Sequence, residues 1–241
     1  MPGPLLFIAF VIAALVAVAF RSRRGQPRAK ALAQWAQQHN LSFAPHRDRS
    51  LTHRFPQFAL FRQGRNAYAY NIVFGLFEGR QIYAFDHHHQ TEHQVTIRQT
   101  DSNGRTRTHT ETRITHHHFS AVVVEPELPL KPLLIRPEGL FDKVADFFGK
   151  GDLNFESAAF SRKYHVTAPD RRWAYDVLHA RVIDFLLDQP RLVVEFTPRH
   201  ILIMRPGEKR MDIDVFKAAV QTADQMLDLL PDYVRMDTAP P

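Results

Sequence analysis

Apolar positions recur along this chain in three rhythms, each predicting a different kind of element. The first is an unbroken run: Leu5 to Phe20 are sixteen consecutive apolar residues, and no charge appears before Arg21. About 20 residues at roughly 1.5 Å rise span a ~30 Å hydrocarbon core, so residues 1–22 read as a single transmembrane anchor in the lipid bilayer. Arg21, Arg23 and Arg24 follow directly, and positive charge beside a span stays cytoplasmic. The expected location is therefore the cell (plasma or inner) membrane, single-pass, with the rest of the chain at the cytoplasmic face. Ala17-Val18-Ala19 also has the small-x-small form of a cleaved leader, the competing reading.

The second rhythm is that of strands. Phe58–Arg62, Ala67–Phe77, Arg80–His89 and His116–Glu125 are rich in aromatic and β-branched residues, and Glu78-Gly79 supplies a hairpin turn. Pro126–Pro137 holds four prolines around Leu133-Leu134-Ile135, which predicts a connector with at most an edge strand.

Helical spacing is the third rhythm. Leu32, Trp35 and Ala36 share one face between Arg28 and His39, with Asn40 as C-terminal cap. Leu140, Phe141, Val144, Phe147 and Phe148 predict a second helix, ended by Gly149 and Gly151. Phe160–Thr167 reads as a strand. Thr167-x-x-Asp170 with Pro169 then opens one helix whose inner face is Trp173, Ala174, Val177, Leu178, Val182, Phe185 and Leu186. Arg191–Phe196 and His200–Arg205 form a hairpin, and Ile213–Leu230 is an amphipathic helix.

Together these elements predict an α+β fold: an N-terminal transmembrane helix, then an antiparallel-sheet domain with several packed helices and a long protruding β-hairpin arm. The expected organisation is an anchor at 1–22 and a basic stem with a membrane-proximal helix at 23–40. A mainly antiparallel β region follows at 41–137, with a His-rich hairpin over 86–119. Residues 138–230 form an α/β region of the same soluble unit, and 231–241 a loose tail.

Composition changes this picture in two places. The 241 residues contain no cysteine, which excludes disulfides, thiolate metal sites and thiol nucleophiles. The net charge of +6 suggests nucleic acid until it is located along the chain. Six of the 31 basic residues precede Asp48 and no acidic residue does, leaving 25 basic against 25 acidic residues in the rest. The basic surplus belongs to the stem, and no nucleic-acid partner is expected.

The stretch Phe155-Glu156-Ser157-Ala158-Ala159-Phe160-Ser161-Arg162-Lys163-Tyr164-His165-Val166, followed by Asp170 and Ala174–His179, resembles a group of uncharacterised bacterial membrane-anchored proteins with a C-terminal domain of unknown function. Phe160, Tyr164, Val166 and Asp170 match its Phe-x-x-x-Phe/Tyr-x-Val and Asp pattern, and Ile135–Phe141 is similar to a further segment of it. The resemblance covers Phe55–Leu230 and implies an N-terminal membrane segment before the domain. It implies no activity and no catalytic residues.

Candidate chemistry concentrates in the arm. Eight of the fourteen histidines lie between His87 and His118, in the triplets His87-His88-His89 and His116-His117-His118 plus His93 and His109. Asp101-Ser102-Asn103-Gly104 between them is a turn signal. Centring the turn between Ser102 and Asn103, or between Asn103 and Gly104, puts His87, His89, His116 and His118 on one face. A three-residue loop instead groups His88 with His116 and His118. Opposed imidazoles at strand spacing can chelate zinc or another divalent transition metal, so His87, His89, His116 and His118 are the candidate metal ligands. The bland alternative is a solvated arm whose histidines have no role, and no cofactor.

Weaker candidates are Glu156 and the pair Asp176 and His179 for acid–base chemistry, and Phe77, Phe85, Phe141, Phe147, Phe148 and Phe185 as the lining of an acyl-chain pocket. Both patterns are commoner as solvated helix surface and as core. Glycine-rich nucleotide loops and hydrolase motifs do not occur. The expected function is a non-catalytic binding or interaction module at the membrane, with a protein partner. The alternatives are a metal-binding protein or metal-dependent hydrolase using the hairpin, and a peripheral lipid-sensing domain.

Overall fold

The structure is a computed structural model that describes residues 27–100, 106–139 and 153–237. The expected anchor at 1–22, the turn at Asp101–Gly104 and the helix at Leu140–Phe148 lie outside the described residues. Among the described residues no helix is long and apolar enough to cross a membrane. Strands β1 (Ser42–Ala44), β2 (Arg65–Phe77), β3 (Arg80–Thr100), β4 (Thr106–Val124), β5 (Leu133–Pro137), β6 (Tyr164–Thr167), β7 (Val193–Phe196) and β8 (Ile201–Met204) form one sheet. Its order is β1-β2-β3-β4-β8-β7-β5-β6, with antiparallel pairing at every step. The helices are α1 (27–38), α2 (Ala158–Lys163), α3 (Arg171–Val177), α4 (Ala180–Asp188), α5 (Ile213–Asp228) and α6 (Asp232–Asp237). The class is α+β, and one sheet runs through both the 41–137 and 138–230 regions.

Helices collect on one face of the sheet. Arg28 of α1 reaches Asp86 on β3, Arg80 of β3 pairs with Asp224 and Asp228 of α5, and Trp173 of α3 packs 5.9 Å from Phe196 of β7. The register agrees: Ile82, Val124, Ile201 and Phe196 are successive cross-strand partners, so they share a face with Arg80 and Asp86. A strap covers the opposite face around β3 and β4. Asp48 Oδ1 accepts from Ser50 N (2.7 Å) and Leu51 N (3.2 Å), starting a 3₁₀ turn at Leu51–Arg54. Phe55 then sits 5.4 Å from Tyr83, and Phe61 lies 5.6 Å from Phe85. The strap returns to β2 through Gly64, whose φ of 69° is left-handed; a side chain there would overlap the Gln90 carbonyl and the His89 ring.

Several sequence expectations need correction. Phe58–Arg62 is no strand but part of this strap, with a 3₁₀ turn at Ala59–Arg62; Phe58, Leu60 and Phe61 are all buried, and neighbours 60 and 61 cannot both face one side of a strand. Leu133–Pro137 is an interior strand between β7 and β6, because Pro132 precedes it and Pro137 is its last residue, which leaves the Leu133–Ile135 amides free to pair. Phe160 to Lys163 is helical: Ser157 caps α2 by accepting from Phe160 N, and only Tyr164–Thr167 is strand. The helix after Pro169 breaks at Leu178-His179 into α3 and α4, and its cap is Asp170, which accepts from Trp173 N at 3.0 Å. The tail after Leu230 is not loose through residue 237: α6 buries Val234, and Arg235 donates to Leu227 O at 2.7 Å.

Candidate functional site

Two strands 21 and 19 residues long dominate the sheet. The neighbour β2 stays beside β3 only as far as Gln90, and β8 stays beside β4 only over Ala121–Val124. Beyond Thr91 and Thr115 the hairpin is therefore a two-stranded ribbon, about 30 Å long at ~3.4 Å per residue. Both histidine triplets lie where this ribbon leaves the sheet.

The register decides their chemistry. His88 pairs with His118, His89 with His117 and Gln90 with His116. This is the odd-loop arrangement, so the expected quartet does not form: His87 and His89 point to the strap face, while His116 and His118 point to the helix face with His88. His87 and His89 are also fully buried, which corrects the picture of a solvated arm at these positions.

On the helix face the central group is Asp86, which has no exposed surface. Arg28 binds it through two parallel bonds, Nε to Oδ2 at 2.8 Å and Nη2 to Oδ1 at 2.7 Å. Ser120 Oγ donates at 2.6 Å, Asn71 Nδ2 at 2.9 Å and Arg210 at 3.3 Å. A β-bulge in β2 supplies the amide: pairing slips between Tyr70 and Val73, and Asn71 takes a left-handed φ of 52°. Burial alone would raise the Asp86 pKa, but Arg28, with Ser120 and Asn71, holds it below the ordinary carboxylate value. The N-terminal helix is thus clamped to the root of the hairpin by a charged, fully bonded network.

Further out on that face, His88 Nδ1 lies 3.3 Å from the Asn66 carbonyl and its Nε2 lies 3.0 Å from His116 Nδ1. A carbonyl only accepts, so Nδ1 of neutral His88 carries the proton and Nε2 receives one from His116. Tyr68 stacks on His88 at 4.5 Å, and Tyr70 OH is 3.1 Å from His118 Nδ1. Burial and the Asp86 charge push the Tyr70 phenol up to about 12. Burial, with neighbouring imidazoles, lowers His88 and His118. These rings are engaged with one another rather than converging lone pairs on one point.

The strap face is different. His87 is surrounded by Phe119 at 4.7 Å, Phe61 at 5.6 Å and His89 at 5.7 Å, and among the described residues neither of its nitrogens has a hydrogen-bond partner. Burial drives its pKa down to about 3, and that of His89, with His117 adding, to about 4. His89 stacks on His117 at 4.6 Å and 6°. The β8–α5 turn straddles the edge of β4, where Ser120 N bonds Lys209 O at 3.4 Å. It sends Arg210 to Asp86 on the helix face and Glu208 toward His89 and His117 on the other. Neither His117 nor Glu208 stands among the candidates from sequence, because Glu208 lies 91 positions beyond His117 and only the fold brings it close.

The remaining candidates are dispersed. Asp176 Oδ1 accepts from Tyr233 OH at 3.0 Å, His179 Nε2 bonds Leu229 O at 2.9 Å, and Glu156 is exposed; these contacts pack α6 and the end of α5 against α3. Phe85 lies with Phe61 and Phe119 on the strap face, whereas Phe77 packs against Trp35 of α1 at 6.4 Å. Phe77 and Phe85 thus do not line one pocket, and Phe141, Phe147 and Phe148 lie outside the described residues.

Fold and site define an α+β protein with helices on one face of an antiparallel sheet and a long histidine-based hairpin. No family model matches the chain, and no curated protein matches it in sequence. Among solved structures, the chain is similar in fold to the mycobacterial trehalose monomycolate transport factor A, TtfA. The TM-score is 0.57, with 13% sequence identity, over 88% of this chain and 98% of that one.

Proposed function

We propose that the protein is a non-catalytic binding module, tethered to a membrane by residues 1–22 with its folded domain at the cytoplasmic face, and that the hairpin ribbon is its partner-reaching arm. The observation that carries this reading is the ribbon itself. Among the described residues, 91–100 and 106–115 pair only with each other, so both edges offer free backbone donors and acceptors for strand addition. Ile114 is exposed on it and Val95 and Ile97 are half-buried, giving a partner apolar anchor points. The Arg28–Asp86 clamp fixes the ribbon's root to the helix that follows the expected anchor. The uncharacterised membrane-anchored proteins that the sequence resembles are consistent with the tether.

A lipid-sensing role is the second reading, supported by the fold shared with a trehalose monomycolate transport factor. A photo-crosslinking residue at Ile114, in native membranes, separates the two. A discrete protein adduct, absent when the label sits at Tyr175, supports the arm; adducts with lipid alone favour the second reading. A C-terminal reporter active only outside the cytoplasm would overturn the orientation.

A further inference from the structure

The strap face gathers metal-ligating groups that no single stretch of sequence carries. One ligand atom each from His89, His117 and Glu208 lies within 4.8 Å of the other two. We propose that these three side chains bind one divalent transition metal ion of the zinc class, which clips the base of the hairpin to the β8–α5 turn. This site is independent of whether the arm meets a protein or a lipid.

Donor chemistry fits that ion. Two imidazoles and a carboxylate form a set that zinc takes, leaving a position for water or a fourth ligand. Ligand atoms at ~2.0–2.2 Å from a tetrahedral ion stand roughly 3.4 Å apart, so the groups close on an ion by no more than about 1.4 Å. Small side-chain rotations supply this.

The three groups are held by separate elements. His89 and His117 are direct cross-strand partners and stack in parallel, and Thr91 Oγ1, 2.8 Å from His117 Nε2, orients the second ring. Glu208 follows Gly207 in a turn where both residues are left-handed, φ 71° and 49°. That turn is closed by the Arg205–Lys209 bridge and tied to β4 through Ser120. A non-glycine residue held left-handed beside two histidines is a backbone conformation that the surrounding contacts must enforce.

Unmet bonding capacity points the same way. Among the described residues, the buried Nδ1 of His89 and both nitrogens of the adjacent His87 have no hydrogen-bond partner. Buried polar atoms are nearly always satisfied, and an ion bound through Nδ1 would satisfy His89, whereas His87 is not one of the three ligands. The helix-face trio offers no equivalent, since His88 is committed to Asn66 and His116.

Titration of the full chain, prepared without a histidine tag, with Zn²⁺ alone tests the site. Calorimetry is expected to show one ion per chain and a rise in Tm on loading. Glu208→Gln and His117→Asn should each weaken Kd more than tenfold, while His116→Asn with His118→Asn leaves it within twofold. Co²⁺ added to the unaltered chain gives a second readout that depends on no variant: visible absorption bands of a four- or five-coordinate ion, saturating at one equivalent. Absence of stoichiometric binding, or loss of binding in the His116/His118 variant with Glu208→Gln unchanged, would overturn the proposal.

Discussion

Asp86 on the helix face and Glu195 on the strap face are both buried acids in the same sheet, yet they end in opposite states. Asp86 keeps its charge, its pKa held low against burial by Arg28, Ser120 and Asn71. Glu195, in β7, is pushed by burial up to about 7, with the charge of Arg62 opposing. The imidazoles of His87 and His89, on that same strap face, are likewise driven toward the neutral form. Depth of burial does not separate the two faces. What differs is the supply of charged and hydrogen-bonding partners: α1, the β2 bulge and the β8–α5 turn all deliver donors to Asp86, whereas the strap delivers mainly phenyl rings. One face stores paired charge and holds an N-terminal helix. The other is stripped of compensation and suits a ligand that brings its own charge.

The largest expected effect breaks the helix face. Asp86→Ala removes one partner of a buried ion pair and strands Arg28, which should lower the unfolding free energy by about 3 to 5 kcal/mol. Denaturant unfolding measures it, and α1 amides should lose hydrogen-exchange protection. A loss below 1 kcal/mol would mean that the network does not clamp α1.

A smaller effect tests the strap face through pH. Glu195 has a folded-state pKa above its ordinary value of 4.5, so it adds stability that is complete below about 4.5 and lost as pH rises through 7. At roughly 1.4 kcal/mol per pH unit, the unaltered chain should lose about 2 to 3 kcal/mol more than Glu195→Gln between pH 5 and 8. Parallel pH profiles would show that Glu195 is ionised in the folded protein after all.

Smallest of all should be the pair His116→Gln and His118→Gln at exposed positions of the ribbon root. Surface positions usually stay within about 0.5 kcal/mol, and stranding the buried Nε2 of His88 raises the total toward roughly 1 kcal/mol. A larger loss would mean that the helix-face rings are structural rather than open. It would also erase the contrast with the strap face.

Legibility in the sequence followed the range of the physics involved. The helix at 27–38, the Glu78-Gly79 turn, the β7–β8 hairpin and α5 are set by local periodicity and turn chemistry, and they appear where those signals stand. Failures occur where a local pattern is shared by two structures. Phe58–Arg62 and Phe160–Lys163 carry aromatic spacing that suits a strand, but joint burial of Phe58, Leu60 and Phe61 bends the first into a 3₁₀ turn in which Phe61 N bonds Phe58 O, and the Ser157 side-chain oxygen accepts from Phe160 N and winds the second into a helix. The long inner face from Trp173 to Leu186 is continuous in sequence and broken in space at His179, where its ring bonds Leu229 O.

The hairpin shows the division most sharply. Sequence alone determined that two histidine triplets oppose each other across a turn, because alternating β-branched and polar residues flank a loop signal. It could not determine which imidazoles share a face, since a shift of one residue in register exchanges the two sets. The sheet decides that register through Phe85, His87 and Phe119, whose burial under the strap holds them inward together with His89 and His117. Tertiary structure alone brings Glu208 to His89 and His117, and Arg28 to Asp86 58 positions away. Such contacts depend on where chain segments return in space, and no local periodicity encodes a return.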